Sequence, residues 1–268
     1  MDLSKNLTLA LKAAMSSGKE IMEIYNSEDF AVELKQDNSP LTRADKASQK
    51  IITDILASSN LPILSEEDDI CVYEERKSWE SFWMLDPIDG TKEFIKRNGE
   101  FTVNVALIRH NSPVLGVVYV PATKVLYFAE HGFGAFKIED ISDFDQLENS
   151  FHIDLSNSNQ HLPKTFTLVV SKSHMNQETE DYVHKMKIEY GAVASKSFGS
   201  SLKICKVAEG HAHCYPRFGP TMEWDTAAAH AVATCAGCKM VAAETSEHLS
   251  YNKKNLLNPF FIVSRDTK

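Results

Sequence analysis

Apolar residues recur at helical spacing at the start of the chain, at Leu7, Leu11, Ala14, Ile21 and Ile24, predicting a helix from Leu3 to Tyr25. The turn formers of 35–40 (KQDNSP) end it. A second helix is expected from about Leu41 to Ala57, with Ile51, Ile52, Ile55 and Leu56 as its stripe. The short apolar run Leu61 to Leu64 predicts a buried strand that opens directly into Ser65-Glu66-Glu67-Asp68-Asp69. Trp79 to Leu85 predicts another, stopped at Asp86-Pro87 because proline cannot donate to a ladder. Phe101–Arg109 and Pro113–Val120 follow as consecutive strands around a turn at His110-Asn111-Ser112, and Val125–Phe136 as a glycine-containing hairpin.

Beyond the polar, weakly periodic stretch from Glu139 to Pro163 the pattern alternates. Strands are expected at Phe166–Val170, Ala192–Phe198, Ala212–Pro216 and Phe260–Val263, and helices at Asn176–Ile188, Leu202–Ala208 and Thr226–Ala236. Such alternation predicts a layered α/β (α+β) architecture in two halves, 1–140 and 141–268.

The chain has 268 residues and a formal net charge of −9. That charge argues against general binding of nucleic acid, whose backbone needs clustered Lys and Arg. It still allows a small anionic substrate where metal ions supply positive charge locally. The N-terminus lacks the apolar core of a signal peptide, and no stretch approaches the roughly 20 apolar residues of a membrane span. Five scattered cysteines, Cys71, Cys205, Cys214, Cys235 and Cys238, suit a reducing cytoplasm.

Three acidic groups stand at the ends of expected elements: Glu66 and Glu67, then Asp86 and Asp89, then Asp225 at a helix start. Converging there, they would repel one another unless a cation sat between them. An all-oxygen set without His or Cys favours Mg²⁺, or Mn²⁺ as substitute. In Asp86-Pro87-Ile88-Asp89-Gly90-Thr91 the proline turns the chain so that both aspartates and the Ile88 carbonyl face one space. Gly90 lets backbone approach a phosphate, and Thr91 brings a hydroxyl that can orient a water. Asp, Pro and Gly are equally the letters of a surface turn, so the motif gains meaning only from Glu66 before it and Asp225 after it. Asp45 fits a capping box with Thr42, and Asp225 a helix N-cap or first-turn aspartate.

SEED from Ser65, WMLDPIDGTKEF at 83–94 and EWDTAAAHAVA at 223–233 together resemble the inositol monophosphatase superfamily over nearly the whole chain. DGTKEFIKRNGEFTVNVALI and YPRFGPTMEWDTAAAH are most similar to its bacterial 3′(2′),5′-bisphosphate nucleotidases. The resemblance implies a five-layered αβαβα sandwich. It assigns Glu66, Asp86, the Ile88 carbonyl, Asp89 and Asp225 as ligands of two or three Mg²⁺ ions. It assigns Thr91 and Asp45 to activation of the attacking water. It puts Ser171, His174, Gly199 and Lys203 on the nucleotide, with Glu66, Ile88, Asp89, Gly90, Thr91 and Asp225 also facing substrate. The implied reaction is Mg²⁺-dependent removal of the 3′-phosphate of adenosine 3′,5′-bisphosphate, giving AMP. Lithium inhibition and a cytoplasmic location follow from the same resemblance. So does peripheral attachment to the cytoplasmic face of the inner membrane, although no amphipathic anchor is evident. The chain is expected to act as a monomer or homodimer on a small-molecule nucleotide.

Other motifs have plainer explanations. Cys235-Ala-Gly-Cys238 is a lone CxxC at a helix end, expected to hold packing cysteines. His211, His213 and Cys214 lack a fourth ligand. Lys96-Arg97 is either a second phosphate contact or solvated charge. A haloacid-dehalogenase chemistry would need an aspartate nucleophile where Pro87 stands. Inositol phosphate or fructose 1,6-bisphosphate as substrate, or a non-catalytic metal or nucleotide sensor on the same fold, are the alternatives.

Overall fold

A computed structural model describes residues 3–27, 33–34, 40–69, 71–156, 158–171 and 176–265. Helix α1 (Lys5–Tyr25) starts where the Ser4 hydroxyl accepts the Leu7 amide at 3.1 Å. The two-residue strands β1 (Glu33–Leu34) and β2 (Pro40–Leu41) pair before α2 (Arg43–Leu56). Thr42 and Asp45 form the expected capping box at the head of α2. The next stretch supplies β3 (Ile63–Ser65), the short helix α3 (Tyr73–Arg76), β4 (Ser81–Asp89), the short helix α4 (Thr91–Ile95), β5 (Thr102–Arg109), β6 (Ser112–Val120), β7 (Val125–Glu130), β8 (Gly134–Ile138) and β9 (Ile153–Asp154). Its seven strands form one sheet in chain order, parallel between β3 and β4 and antiparallel elsewhere.

The remainder adds β10 (Phe166–Ser171), α5 (Gln177–Tyr190), β11 (Val193–Phe198), α6 (Leu202–Ala208), β12 (Cys214–Arg217), α7 (Ala227–Cys235), β13 (Cys238–Ala242) and β14 (Phe261–Arg265). They build a five-stranded sheet of order β11-β10-β12-β14-β13. Its pairs are parallel from β11 to β12 and antiparallel from β12 to β13.

Five layers result. Helices α1 and α2 cover one face of the first sheet, α6 and α7 lie between the sheets, and α5 covers the outer face of the second. Two-sided burial explains why the central strands carry long apolar runs rather than alternating. In β4, Phe82 and Met84 enter the core shared with α6 and α7, whereas Trp83 and Leu85 enter the core beneath α1 and α2. The middle layer sits close. A Cβ on Gly116 of β6 would stand 2.1 Å from the Ala228 carbonyl oxygen of α7.

Strand β4 departs from the sequence expectation. It does not stop at Asp86-Pro87 but runs on to Asp89. Its pairing slips there: Asp86 faces Asn104 and Asp89 faces Thr102, so three steps on β4 oppose two on β5. The extra residue makes a bulge, and Pro87, which has no amide to donate, is accommodated in it. The Pro87 carbonyl instead accepts the Ser48 hydroxyl of α2 at 2.9 Å. Strand β13 and helix α4 also lie beyond the sequence expectation.

Candidate active site

The bulge sits where β3, β4, α2 and the head of α7 converge. Glu66 follows β3 directly, and its amide donates to the Leu85 carbonyl at 3.2 Å. Asp86 and Asp89 flank the bulge, and Asp225 precedes α7. Ligand atoms of Glu66, Asp86 and Asp225 all lie within 4.8 Å of one another, the one such group of three acidic, His or Cys residues among the described residues.

Asp86 is 1% exposed, and neither carboxylate oxygen has a hydrogen-bond partner among the described residues. A buried, unpartnered carboxylate costs the fold several kcal/mol, to order of magnitude. Burial, and then the charges of Glu66, Asp89, Asp225 and Glu67, hold its carboxyl well above the ordinary range. Asp225 is likewise held well above it by burial and by Asp89 and Glu66, although its Oδ2 accepts the Met222 amide at 2.9 Å. Burial pushes Asp89 up to about 6, against the pull of the Lys203 ammonium and the Ser201 amide. Orphaned hard oxygens in a ring of carboxylates are the donor set of a divalent cation such as Mg²⁺. The residues present therefore fit a metal.

Asp45 divides its oxygens. Oδ2 accepts the Thr42 amide at 2.7 Å and the Thr42 hydroxyl at 2.6 Å, while Oδ1 lies 3.4 Å from Thr91 Oγ1. Cap and site partner are thus one side chain. Thr91 Oγ1 is also 3.4 Å from the Ile88 carbonyl oxygen. Glu66, Asp86, Ile88, Asp89, Gly90, Thr91 and Asp225 all line the same pocket.

A second cavity adjoins it, sharing Asp89, Gly90, Glu93 and Asp225. Ser171, Gly199 and Lys203, which the sequence analysis singled out, line this cavity. His174 lies outside the described residues. Burial lowers the Lys203 ammonium to about 8, with Asp89 opposing the shift, and its Nζ lies 5.9 Å from the centre of the Tyr215 ring. Arg217, Tyr215 and Thr221 line the cavity too, and the sequence analysis did not single them out. The signal for Arg217 was a cation closing the strand just before Glu223-Trp224-Asp225. Its Nη2 donates to the Pro220 carbonyl at 2.7 Å, leaving a buried Nε without a partner among the described residues.

The other motifs take structural roles. His213 Nδ1 accepts the Thr167 amide at 3.1 Å, and His211 pairs with Glu209 at 2.7 Å. All five cysteines are free thiols. Arg97 donates to the Ser27 carbonyl at 2.6 Å and lies over the Tyr25 ring, so it is engaged with the end of α1. No helix among the described residues is long and apolar enough to cross a membrane.

The sequence model of the inositol monophosphatase family matches residues 2–264. The 3′(2′),5′-bisphosphate nucleotidase CysQ of Escherichia coli K12 is 44% identical over 256 residues, covering 94% of this chain and 96% of that protein. Its namesake from Haemophilus influenzae is 34% identical over 272 residues, covering 97% and 93%. Among solved structures, CysQ from Bacteroides thetaiotaomicron superposes with a TM-score of 0.87 at 46% identity, covering 98% of this chain and 97% of that one. The extragenic suppressor protein SuhB of Bartonella henselae shares the fold, with a TM-score of 0.77 at 22% identity.

Proposed function

The chain belongs to the inositol monophosphatase family, and we propose that it is a nucleotidase that hydrolyses the 3′-phosphate of adenosine 3′,5′-bisphosphate to AMP and phosphate. 3′-Phosphoadenylyl sulfate is the second substrate of this reading, and removal of an inhibitory by-product of sulfur assimilation its purpose. The observation that carries the proposal is the orphaned Asp86 carboxylate among Glu66, Asp89 and Asp225, opening onto a cavity with two cations, Lys203 and Arg217. A substrate with two phosphates matches that division. One phosphate meets the carboxylate pocket and the other the cations.

In this reading Glu66, Asp86, the Ile88 carbonyl, Asp89 and Asp225 hold Mg²⁺, for which Mn²⁺ can substitute. When bound, Mg²⁺ would supply positive charge to the phosphoryl oxygens and lower the pKa of the attacking water. The chain does the rest by positioning. Thr91 Oγ1, 3.4 Å from Asp45 Oδ1, orients the water, and Asp45 takes up its proton. The Thr42 amide and hydroxyl fix Asp45 for that role. Residues 1–140 give four of the five ligands and residues 141–268 the fifth, Asp225, together with most of the lining of the nucleotide cavity. Five free thiols fit a cytoplasmic location.

The test is phosphate release from adenosine 3′,5′-bisphosphate, 3′-phosphoadenylyl sulfate, inositol 1-phosphate and fructose 1,6-bisphosphate, each with Mg²⁺ and with EDTA. The first two should turn over best, and only with Mg²⁺. Preference for the inositol or fructose ester, or turnover undiminished by EDTA, would overturn the reading.

A further inference from the structure

The two pockets meet at a joint built by residues to which no role has so far been given. The head of α6 carries Ser200 and Ser201 just ahead of Lys203. Ser200 Oγ lies 2.8 Å from the Asp89 carbonyl oxygen and 2.7 Å from that of Glu100. The Ser201 amide donates to Asp89 Oδ2. Ser201 Oγ donates to Asn104 Oδ1 at 2.8 Å and lies 2.9 Å from Thr102 Oγ1. Asn104 and Thr102 are the residues of β5 that face Asp86 and Asp89 across the bulge.

Close contact at the joint requires two glycines. A Cβ on Gly90, at φ +93°, would stand 2.2 Å from Ser200 Oγ, and one on Gly199 would stand 2.8 Å from the Glu100 carbonyl oxygen. Asn104 is 1% exposed between Val103 and Val105 in the buried part of β5, and its Nδ2 has no partner among the described residues. Asp86, directly opposite on the same face of the sheet, has two unpartnered oxygens. A polar side chain kept in such a place at such a cost has its value in what it orients.

We propose that Ser201 and Asn104 are positioning residues that set the carboxylates of the bulge and the head of α6 in one register, so that a single joint aligns the metal pocket with the Lys203 cavity. This deepens the nucleotidase reading and rests on it for the substrate half of its consequences. One sheet supplies the bulge and the other half of the chain supplies Lys203, and the joint is the hydrogen-bonded link between them. Loosening it should weaken metal and nucleotide together, whereas loss of Lys203 should weaken the nucleotide above all.

The experiment measures Mn²⁺ affinity of the full chain by electron paramagnetic resonance without substrate, and KM and kcat for adenosine 3′,5′-bisphosphate. Ser201→Ala should weaken Mn²⁺ binding about tenfold, the lower end of what outer-shell partners contribute, and should raise KM in parallel. Ser201→Thr, which restores the hydroxyl, should recover both. Lys203→Met should raise KM without the tenfold loss of Mn²⁺ affinity expected of Ser201→Ala. Thr102→Val, a milder cut at the same joint, should move Mn²⁺ affinity and KM in the same direction as Ser201→Ala and serves if that variant does not fold. A lowered melting temperature with wild-type Mn²⁺ affinity in the folded protein would overturn the proposal, as would a Ser201→Ala defect that Ser201→Thr does not recover. Because Mn²⁺ binding is read without substrate, the joint is tested even if wild-type protein fails to hydrolyse the nucleotide, a result that would sink the nucleotidase reading instead.

Discussion

Replacing Asp89 by Asn should make the metal-free protein more stable and the enzyme inactive. The carboxyl of Asp89 rises from 3.8 to about 6 in the fold, burial being the largest cause. At about 1.4 kcal/mol per pH unit, ionising it in the folded chain costs about 3 kcal/mol more than in the unfolded one. Between those two values the folded chain holds more proton than the unfolded chain. The contribution of Asp89 to stability is therefore fully present below pH 3.8, falls as pH rises to about 6 and stays low above it. Asparagine keeps an acceptor for the Ser201 amide but never ionises. In EDTA at roughly pH 8, Asp89→Asn should exceed wild type by about 3 kcal/mol, and at roughly pH 4 the two should coincide. In a chain of this size that is a rise of about 6–12 °C in melting temperature.

Urea unfolding followed by circular dichroism across that pH range, with and without Mg²⁺, is the assay. Saturating Mg²⁺ should raise wild-type stability, by about 2.7 kcal/mol at a hundred times Kd. It should do little for Asp89→Asn, which should release no phosphate. A variant no more stable than wild type in EDTA at roughly pH 8 would refute the electrostatic argument. One that turns over like wild type at saturating Mg²⁺ would refute the assignment of Asp89 as a metal ligand.

Asp45→Asn should lower kcat by about 10²–10⁴, the usual worth of general base catalysis, while leaving Mn²⁺ affinity near wild type. A parallel loss of metal binding would instead make Asp45 part of the metal cage. Lys203→Met should raise KM for adenosine 3′,5′-bisphosphate by about 10–150-fold, the worth of one charge-assisted hydrogen bond, and should affect 3′-AMP much less. Equal effects on both substrates in steady-state assays would count against a second phosphate at Lys203. Gly116→Val, whose Cβ would meet the Ala228 carbonyl oxygen at 2.1 Å, should lower stability by about 1–3 kcal/mol in thermal melts. An unchanged melting temperature would show that α7 can move off β6.

The metal pocket was legible in the sequence because its chemistry follows short apolar runs. Glu66 and Asp225 stand beside element ends and Asp86 directly follows the apolar run of β4, where a polar side chain needs an explanation other than solvation. What escaped depends on contacts between distant stretches. Pro87 looks like a strand terminator to anyone counting donors, and only the slipped pairing of β4 with β5 lets the strand pass it. Cys238–Ala242 follows helix α7 closely, and the sequence analysis assigned it no element. Its strand character comes from β14, which begins 19 residues after β13 ends. Ser200 and Ser201 look like any turn before a helix, since their partners Asp89, Glu100 and Asn104 lie about a hundred residues earlier. One signal was available. Asn104 interrupts an apolar strand buried on both faces, and a buried carboxamide demands partners.

These departures from good packing share one location. Asp86 is buried without a partner, Asn104 keeps an unmet donor, Pro87 lies within a strand, and Gly90 holds a positive φ beneath Ser200. Each alone would be a defect. Concentrated at the bulge, they describe a site kept under electrostatic stress until a cation enters it. That stress need not come from a weak scaffold. The cores on either side of the first sheet are closed, with Phe82, Trp83, Leu85, Val103 and Val105 at 0% exposure. A rigid frame is what lets four carboxylates stay close without the chain relaxing away from them, because packed interiors resist small displacements. The same frame brings acidic residues from distant stretches of the chain, Glu66, Asp86 and Asp225, into one group. Asp225 stands just before α7, and α7 is seated closely on β6 at Gly116, so a packing contact outside the acidic pocket helps set where this carboxylate stands.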